Sequence, residues 1–199
     1  MKKVMVYIDG FNLYYGIRSI GKASLKWLDV EKLAQSFLRH NSHLEQVKYF
    51  TAMIKGIGDE IPRQKLYLQA LEHHCNNLII IKGHFLSKGE ICRKCNHYNS
   101  TFEEKKTDVN IACEMLSDAY ENRFDVAFLV SGDSDLVPAV EKVIAIGKIV
   151  IVASPPQRRN SKLNQVATNS FDIDPNRLKK CLLPAEIPVK KGKIVMPEE

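Results

Sequence analysis

The sequence predicts a doubly wound α/β domain, a parallel sheet with helices on both faces. Three observations carry that reading. Val4–Ile8 is an apolar run that ends in Asp9-Gly10-Phe11-Asn12. Val126–Val130 is a second unbroken apolar run, and it ends in Ser131-Gly132-Asp133-Ser134-Asp135. Around these two, short apolar runs alternate with stretches of helical period, the order that builds a parallel sheet. Runs without polar alternation suit strands buried on both faces. Acidic residues directly after two such strands put carboxylates at the carboxyl edge of the sheet, where open α/β folds place their ligand sites.

In chain order, Lys3–Ile8 reads as the first strand, and Phe11–Ile17 (FNLYYGI) as a short aromatic segment beyond Asp9. Asp29 is a good N-cap for a helix to about His40, with Val30, Leu33, Ala34, Phe37 and Leu38 on one face. Gln46–Ile54 reads as the second strand. Ile61–Cys75 is helical, with a proline near its start and Leu66, Ala70 and Leu71 at helical spacing. Leu78–Ile81 is a short third strand. Residues 83–100 break the rhythm with glycines, histidines, lysines and two cysteines, so they read as an insertion outside the sheet. Thr107 can cap a helix to Tyr120, with Val109, Ala112, Cys113 and Leu116 on one face.

The run Val126–Val130 follows as the fourth strand, then a helix Asp135–Ala145 that tolerates Pro138 in its first turn. Lys148–Val152 is the fifth strand, stopped by Ser154-Pro155-Pro156; Arg158–Ala167 can be helical, and Phe171–Ile173 a short last strand. The α/β domain then covers residues 1–173. Residues 174–199 form an extension that carries prolines and charges with little apolar material, the composition of a partly loose tail. Right-handed crossovers leave few topologies. Placing the first and fourth strands side by side gives strand order 3-2-1-4-5 and brings Asp9 and Asp133 to one crevice.

The 199 residues suit one domain, and 45% hydrophobic content supports a sizeable core. A formal charge of +6 and a pI of about 9.0, beside an acidic cluster, suggest a polyanion held near a metal site, although many soluble proteins are mildly basic without such a partner. No signal-peptide pattern opens the chain, because Val4–Ile8 meets Asp9 at once. No apolar run approaches the ~20 residues a membrane span needs. Five cysteines, an odd number, then point to a reduced cytoplasm.

The acidic residues form a candidate constellation. Crowded carboxylates repel and take up protons, and a divalent cation with a preference for oxygen ligands relieves that conflict. Asp9 directly ends a buried strand. Asp108 lies in the first turn of the helix that precedes the central strand, where the helix dipole favours a carboxylate. Asp133 and Asp135 follow the central strand, and Asn12 and Ser131 can assist. Each aspartate also has a plainer reading as an N-cap or turn residue, above all Asp135, which starts a helix. No Ser-His-Asp or Cys-His set stands at suggestive spacing. A phosphotransferase would want a DxD nucleophile after the first strand, but Asp9 is followed by Gly-Phe-Asn.

These segments carry a family resemblance. YIDGFN at Tyr7–Asn12, KTD at Lys106–Asp108 and SGDSD at Ser131–Asp135 resemble the three signature segments of the NYN domain, of the LabA-like kind, within the PIN-like nuclease superfamily. The resemblance spans roughly Val4 to Thr168. It implies a Rossmann-like, PIN-like sheet and binding of Mg²⁺ or Mn²⁺ through clustered aspartates. It also implies RNA as substrate. By resemblance, Asp9, Asp108 and Asp133 are metal ligands, Asp135 lies close by, and Asn12 and Ser131 support them.

Loops after the strands gather at one edge and contain Lys55, Lys82, Arg158, Arg159 and Lys162, which could meet phosphates. Phe11, Tyr14 and Tyr15 could stack on unpaired bases, or simply pack. Cys92 and Cys95 form CRKCNH with His97, a zinc half-site that His84, His97 or a second copy of the chain in a homodimer could complete. An unmetallated loop or a redox pair are the alternatives. The expected function is metal-dependent hydrolysis of single-stranded RNA. The alternative is a nucleic-acid-binding or regulatory module of the same fold with little or no turnover.

Overall fold

The computed structural model describes residues 1–53, 58, 60–91, 95, 98–190 and 192–197, with the backbone alone for 84–91 and 98–105. Its centre is a sheet in the order β4-β3-β2-β1-β5-β6-β7. The strands are β1 (Lys2–Asp9), β2 (Ser42–Ala52), β3 (Leu78–Ile91), β4 (Tyr98–Lys105), β5 (Val126–Val130), β6 (Ile149–Ser154) and β7 (Asn169–Asp172). All neighbours are parallel except β3 and β4. The expected parallel order 3-2-1-4-5 is present, and Asn169–Asp172 adds a sixth parallel strand beside β6.

The alternation of side chains along β1 divides the core. Val4, Val6 and Ile8 face one side, where α1 (Gly10–Arg18), α2 (Val30–Gln35) and α3 (Glu60–His74) contribute Leu13, Leu33 and Leu71. Met5 and Tyr7 face the other, against Ile111 and Met115 of α4 (Thr107–Tyr120), Val140 and Val143 of α5 (Val137–Ala145) and Leu163 of α6 (Ser161–Val166). Burial on both faces accounts for the unbroken apolar character of β5, whose five residues are all buried.

Under the second face lies an ionic network. Lys48 of β2 is 3% exposed and meets Asp118 at 2.5 Å and Glu114 at 2.6 Å, while the Tyr7 hydroxyl donates to Asp118 at 2.7 Å. A buried ammonium is tolerable only with partners of this kind. Burial, then the bond to Asp118, push the Tyr7 phenol far above its ordinary range.

Several elements differ from the sequence expectation. The helix capped by Asp29 stops at Gln35, although the Asp29 carboxylate does accept from the Lys32 N–H at 2.9 Å. The FNLYYGI segment is the helix α1, begun by Asp9 itself as N-cap. Thr107 does not cap α4. Lys106 takes that position with φ 80°, a left-handed conformation uncommon outside glycine, and Thr107 is buried inside the helix. Asp135 starts no α-helix; it lies in a 3₁₀ turn, Ser134–Leu136, that leads into α5.

Residues 83–100 were expected outside the sheet. Instead β3 continues to Ile91 and pairs antiparallel with β4, His84 against Lys105 through Ile91 against Tyr98, as a ribbon beyond the part of β3 that pairs with β2. The tail expected to be loose is tied down. It contains α7 (Pro175–Lys179) and a separate hairpin of β8 (Glu186–Val189) and β9 (Gly192–Val195). Leu178, Cys181, Leu183 and Ile187 are buried in the first core. The Trp27 indole N–H donates to the Pro184 carbonyl at 2.9 Å, and backbone bonds join Asp29 to Cys181 and Leu183 to Trp27. Spaced single apolar residues hide this packing from a composition argument. Among the described residues, no helix is long and apolar enough to cross a membrane.

Candidate metal and nucleic-acid site

The register of β1 on β5 sets the site. Ile8 pairs with Val130, so Asp9 and Ser131 leave the sheet side by side. The Ser131 hydroxyl donates to Asp9 Oδ2 at 2.9 Å, and it accepts from the Asp133 N–H at 3.1 Å. Asp9 Oδ1 caps α1 by accepting from the Asn12 N–H at 2.9 Å. Asn12 Oδ1 in turn accepts from the Gly132 N–H at 3.1 Å. Two bonds, from Ser131 and Gly132, therefore stitch the loop after β5 to the first turn of α1, and two more brace each side locally. Each Asp9 oxygen holds one donor, and its second lone pair stays available.

A cleft of about 170 Å³ opens above this lattice, lined by Asp9, Asn12, Asp108, Asp133 and also by Phe11, Tyr15, Lys106, Thr107 and Arg158. Burial pushes the Asp9 carboxyl up to about 6; the bonds from Asn12 and Ser131 oppose this, and the charges of Asp108 and Asp133 add to it. Burial also raises the Asp108 carboxyl, with Asp133 and Asp135 as the next causes. The sequence-predicted acids thus sense one another electrostatically. Asp135 is exposed, does not line the cleft, and gives its N–H to Asp133 Oδ1 at 2.9 Å.

Two glycines shape the approach. A Cβ on Gly132 would lie 1.6 Å from the Arg158 carbonyl oxygen, so only glycine allows the loop after β6 to cross here. A Cβ on Gly10 would lie 2.6 Å from the Phe50 carbonyl oxygen and 2.7 Å from the Tyr49 ring, which seats α1 directly on β2.

The basic loop divides in two. Arg158 lines the cleft, its guanidinium 5.4 Å from the centre of the Tyr15 ring. Arg159 turns away to pair with Asp172 at 2.8 Å, and Lys162 is exposed in the first turn of α6. Lys82 stands 4.0 Å from Glu72. Tyr14 faces the opposite side of α1 from the acids, towards a second pocket that Phe11 also lines. Lys55 lies outside the described residues, as do Cys92 and His97 of the zinc expectation; Cys95 carries a free, exposed thiol.

The acid cleft offers carboxylate, amide and hydroxyl oxygens, a donor set that suits a hard cation. Among the described residues no three His, Cys, Asp or Glu side chains converge closely enough to enclose an ion. Mg²⁺ does not require such a cage, because it keeps several waters and takes one or two carboxylates. The fit lies in the chemistry: burial makes the ionised Asp9 carboxylate costly, the charges of Asp108 and Asp133 add to that cost, and a cation relieves both.

Sequence reasoning missed the wall residue Thr107, the steric role of Gly132, and the aromatic pocket behind α1 around Trp27, Tyr49 and Tyr67. The glycine in SGDSD was the available signal for the second. The pocket gave none, since its rings come from separate elements.

A curated relative, the 6-hydroxy-3-succinoylpyridine 3-monooxygenase HspA of Pseudomonas putida, is 28% identical, over 96% of this chain and 73% of that protein. A crystal structure of a protein of unknown function from Vibrio parahaemolyticus superposes with a TM-score of 0.61 at 22% identity, covering 88% of this chain and 94% of that one; it supports the fold. The family model of the NYN domain matches residues 3–174, which include every aspartate of the cleft, and the chain belongs to the NYN domain family.

Proposed function

We propose that this protein is a metal-dependent ribonuclease that hydrolyses phosphodiester bonds of single-stranded RNA at the cleft between α1 and the loop after β5. The observation that carries the reading is the gathering of Asp9, Asp108 and Asp133 around one cleft, with the Asp9 carboxyl raised to about 6 by burial and by its neighbours. Family membership supports the same reading.

Asp9, Asp108 and Asp133 would hold Mg²⁺ or Mn²⁺, one or two of them directly and the rest through the waters that the ion keeps, with Asp135 adding negative potential from outside the cleft. When bound, such an ion neutralises charge on a phosphate and lowers the pKa of a water. The chain's own groups do the rest. Ser131 and Asn12 fix the Asp9 carboxylate, so its free lone pairs point where the fold dictates. Arg158, held against Tyr15, presents a guanidinium to a phosphate that enters the cleft. Lys106 supplies a second positive charge on the wall. Of the basic loop, Arg158 is the phosphate contact in this reading; Arg159 and Lys162 steer at longer range.

The test is cleavage of a labelled single-stranded RNA by wild type and Asp133→Asn, with Mg²⁺, Mn²⁺ or EDTA. Wild type should cut only with metal, and the variant should lose at least a hundredfold in rate while still binding RNA. Equal cleavage by both, or wild-type cleavage that ignores EDTA, would reject the mechanism and favour a binding module.

A second reading comes from the relative whose name makes it a monooxygenase of a hydroxylated pyridine. The aromatic-walled pocket behind α1 favours it. That reading needs dioxygen and an electron donor, and it predicts oxygen consumption with a pyridine acid and no RNA cleavage.

A further inference from the structure

The pocket on the other side of α1 encloses about 200 Å³ and has a different character from the acid cleft. Its walls are rings: Tyr14 from α1, Trp27 from the turn before α2, Tyr49 from β2 and Tyr67 from α3. Trp27 and Tyr67 lie 6.1 Å apart with planes tilted by 53°. This volume is below the ~300–1,000 Å³ of pockets for drug-sized ligands, so the occupant is about one planar ring system.

Three of the polar groups inside are committed elsewhere. The Tyr67 hydroxyl donates to the Leu28 carbonyl at 2.8 Å, the Trp27 indole N–H to Pro184, and the Gln64 amide to the Ala52 carbonyl at 2.9 Å. Stacking, rather than reading of hydrogen-bond edges, is what remains to hold a ring there.

The rim is charged. Lys26 stands 5.7 Å from the centre of the Tyr14 ring, and Arg63 and Glu60 of α3 complete it, two cations to one carboxylate. An anion attached to the ring is therefore favoured. Phe11 lines both this pocket and the acid cleft, so the two adjoin at the first turn of α1. A ring with its own phosphate that must also reach the cleft is a nucleotide within a strand.

We propose that this pocket is a base-binding subsite that stacks one unpaired nucleobase of an RNA strand whose phosphate backbone crosses Phe11 into the acid cleft. The inference rests on the ribonuclease reading and assigns that site a positioning device for single strands. It predicts a preference for unpaired RNA, because a paired base cannot enter, and little discrimination among bases.

Trp27 is the only tryptophan in the chain, so its emission reports this pocket alone. Wild-type protein in EDTA is titrated with single-stranded oligoadenylate and with an abasic ribose-phosphate strand of equal length. The first should quench Trp27 saturably and the second should not. Arg63→Glu, an exposed change on α3 that leaves the core intact, should weaken the quenching fivefold or more; Tyr14→Ala, checked for an unchanged melting curve, should do the same. If RNA is bound and cut with metal while Trp27 stays silent and Arg63→Glu changes nothing, the subsite is refuted and the ribonuclease stands. If the strand quenches Trp27 but is never cut, the subsite stands and the ribonuclease falls. If only a free pyridine carboxylate quenches, the subsite is refuted and the pocket belongs to a small aromatic acid.

Discussion

Asp9→Asn should change stability with a sign that depends on pH. Burial lifts the Asp9 carboxyl from its ordinary 3.8 to about 6 in the folded chain. The folded state therefore binds this proton more tightly than the unfolded one. The stabilisation that proton binding confers is fully present below the unfolded value and is lost as pH rises through about 6. At 1.36 kcal/mol per pH unit, the ionised carboxylate costs the metal-free protein about 3 kcal/mol above that range. Asparagine removes this cost and can still cap α1. It disturbs the bond from Ser131, a loss of about 1 kcal/mol. The variant should accordingly be more stable than wild type by about 2 kcal/mol near pH 8 and less stable by about 1 kcal/mol near pH 4. Denaturant unfolding in EDTA at both values reads the difference. Millimolar Mg²⁺ near neutral pH should raise the wild-type midpoint and leave the variant's unchanged, because only wild type retains the charge that the ion needs. A stability difference that is flat across pH would refute the account of a buried, uncompensated carboxylate. A magnesium shift in both proteins would remove Asp9 from the ion.

Three further outcomes follow from the geometry. Gly132→Ala places a Cβ 1.6 Å from the Arg158 carbonyl oxygen, so the loop after β6 must move; RNA cleavage should fall at least tenfold and stability by about 1–3 kcal/mol, and an unaltered variant would show that the loop yields freely. Arg158→Ala should weaken RNA binding several-fold and flatten its salt dependence, whereas Arg159→Ala, which breaks the exposed pair with Asp172, should do less of both; equal effects in binding titrations at several salt concentrations would overturn that division. Asp118→Asn should cost about 3–5 kcal/mol by thermal unfolding, because Lys48 stays buried with only Glu114 beside it, and a change within experimental error would mean that the network carries no stability.

The sheet order and the placement of Asp9 and Asp133 at one cleft were legible because unbroken apolar runs lead into acids, and strand ends are fixed by that boundary; Asp108, in the first turn of a helix, joined them as a ligand only through the family resemblance. The supporting residues of the site were also legible as types: Asn12 and Ser131 are short polar residues beside acids. Their pattern of bonds was not, since it depends on a register that pairs Ile8 with Val130 and so seats Ser131, rather than Asp133, against Asp9. Arg158 and Arg159 were indistinguishable as neighbours in sequence; in the structure one lines the cleft and the other pairs with Asp172. Composition misjudged the tail, because Leu178, Cys181, Leu183 and Ile187 are few and widely spaced yet each fills a place in the first core.

That tail has a practical consequence for how the domain is cut. The family match ends at residue 174, yet the chain beyond it supplies the carbonyl that receives the Trp27 indole, the partner of Leu28 in a β-bridge, and Met196 and Pro197 on one wall of the aromatic pocket. A polypeptide ended at that boundary would uncover Trp27, Leu28 and the first face of the sheet together. The family boundary and the folding boundary therefore differ, and a shortened chain that aggregates or loses activity would say nothing about the aspartates.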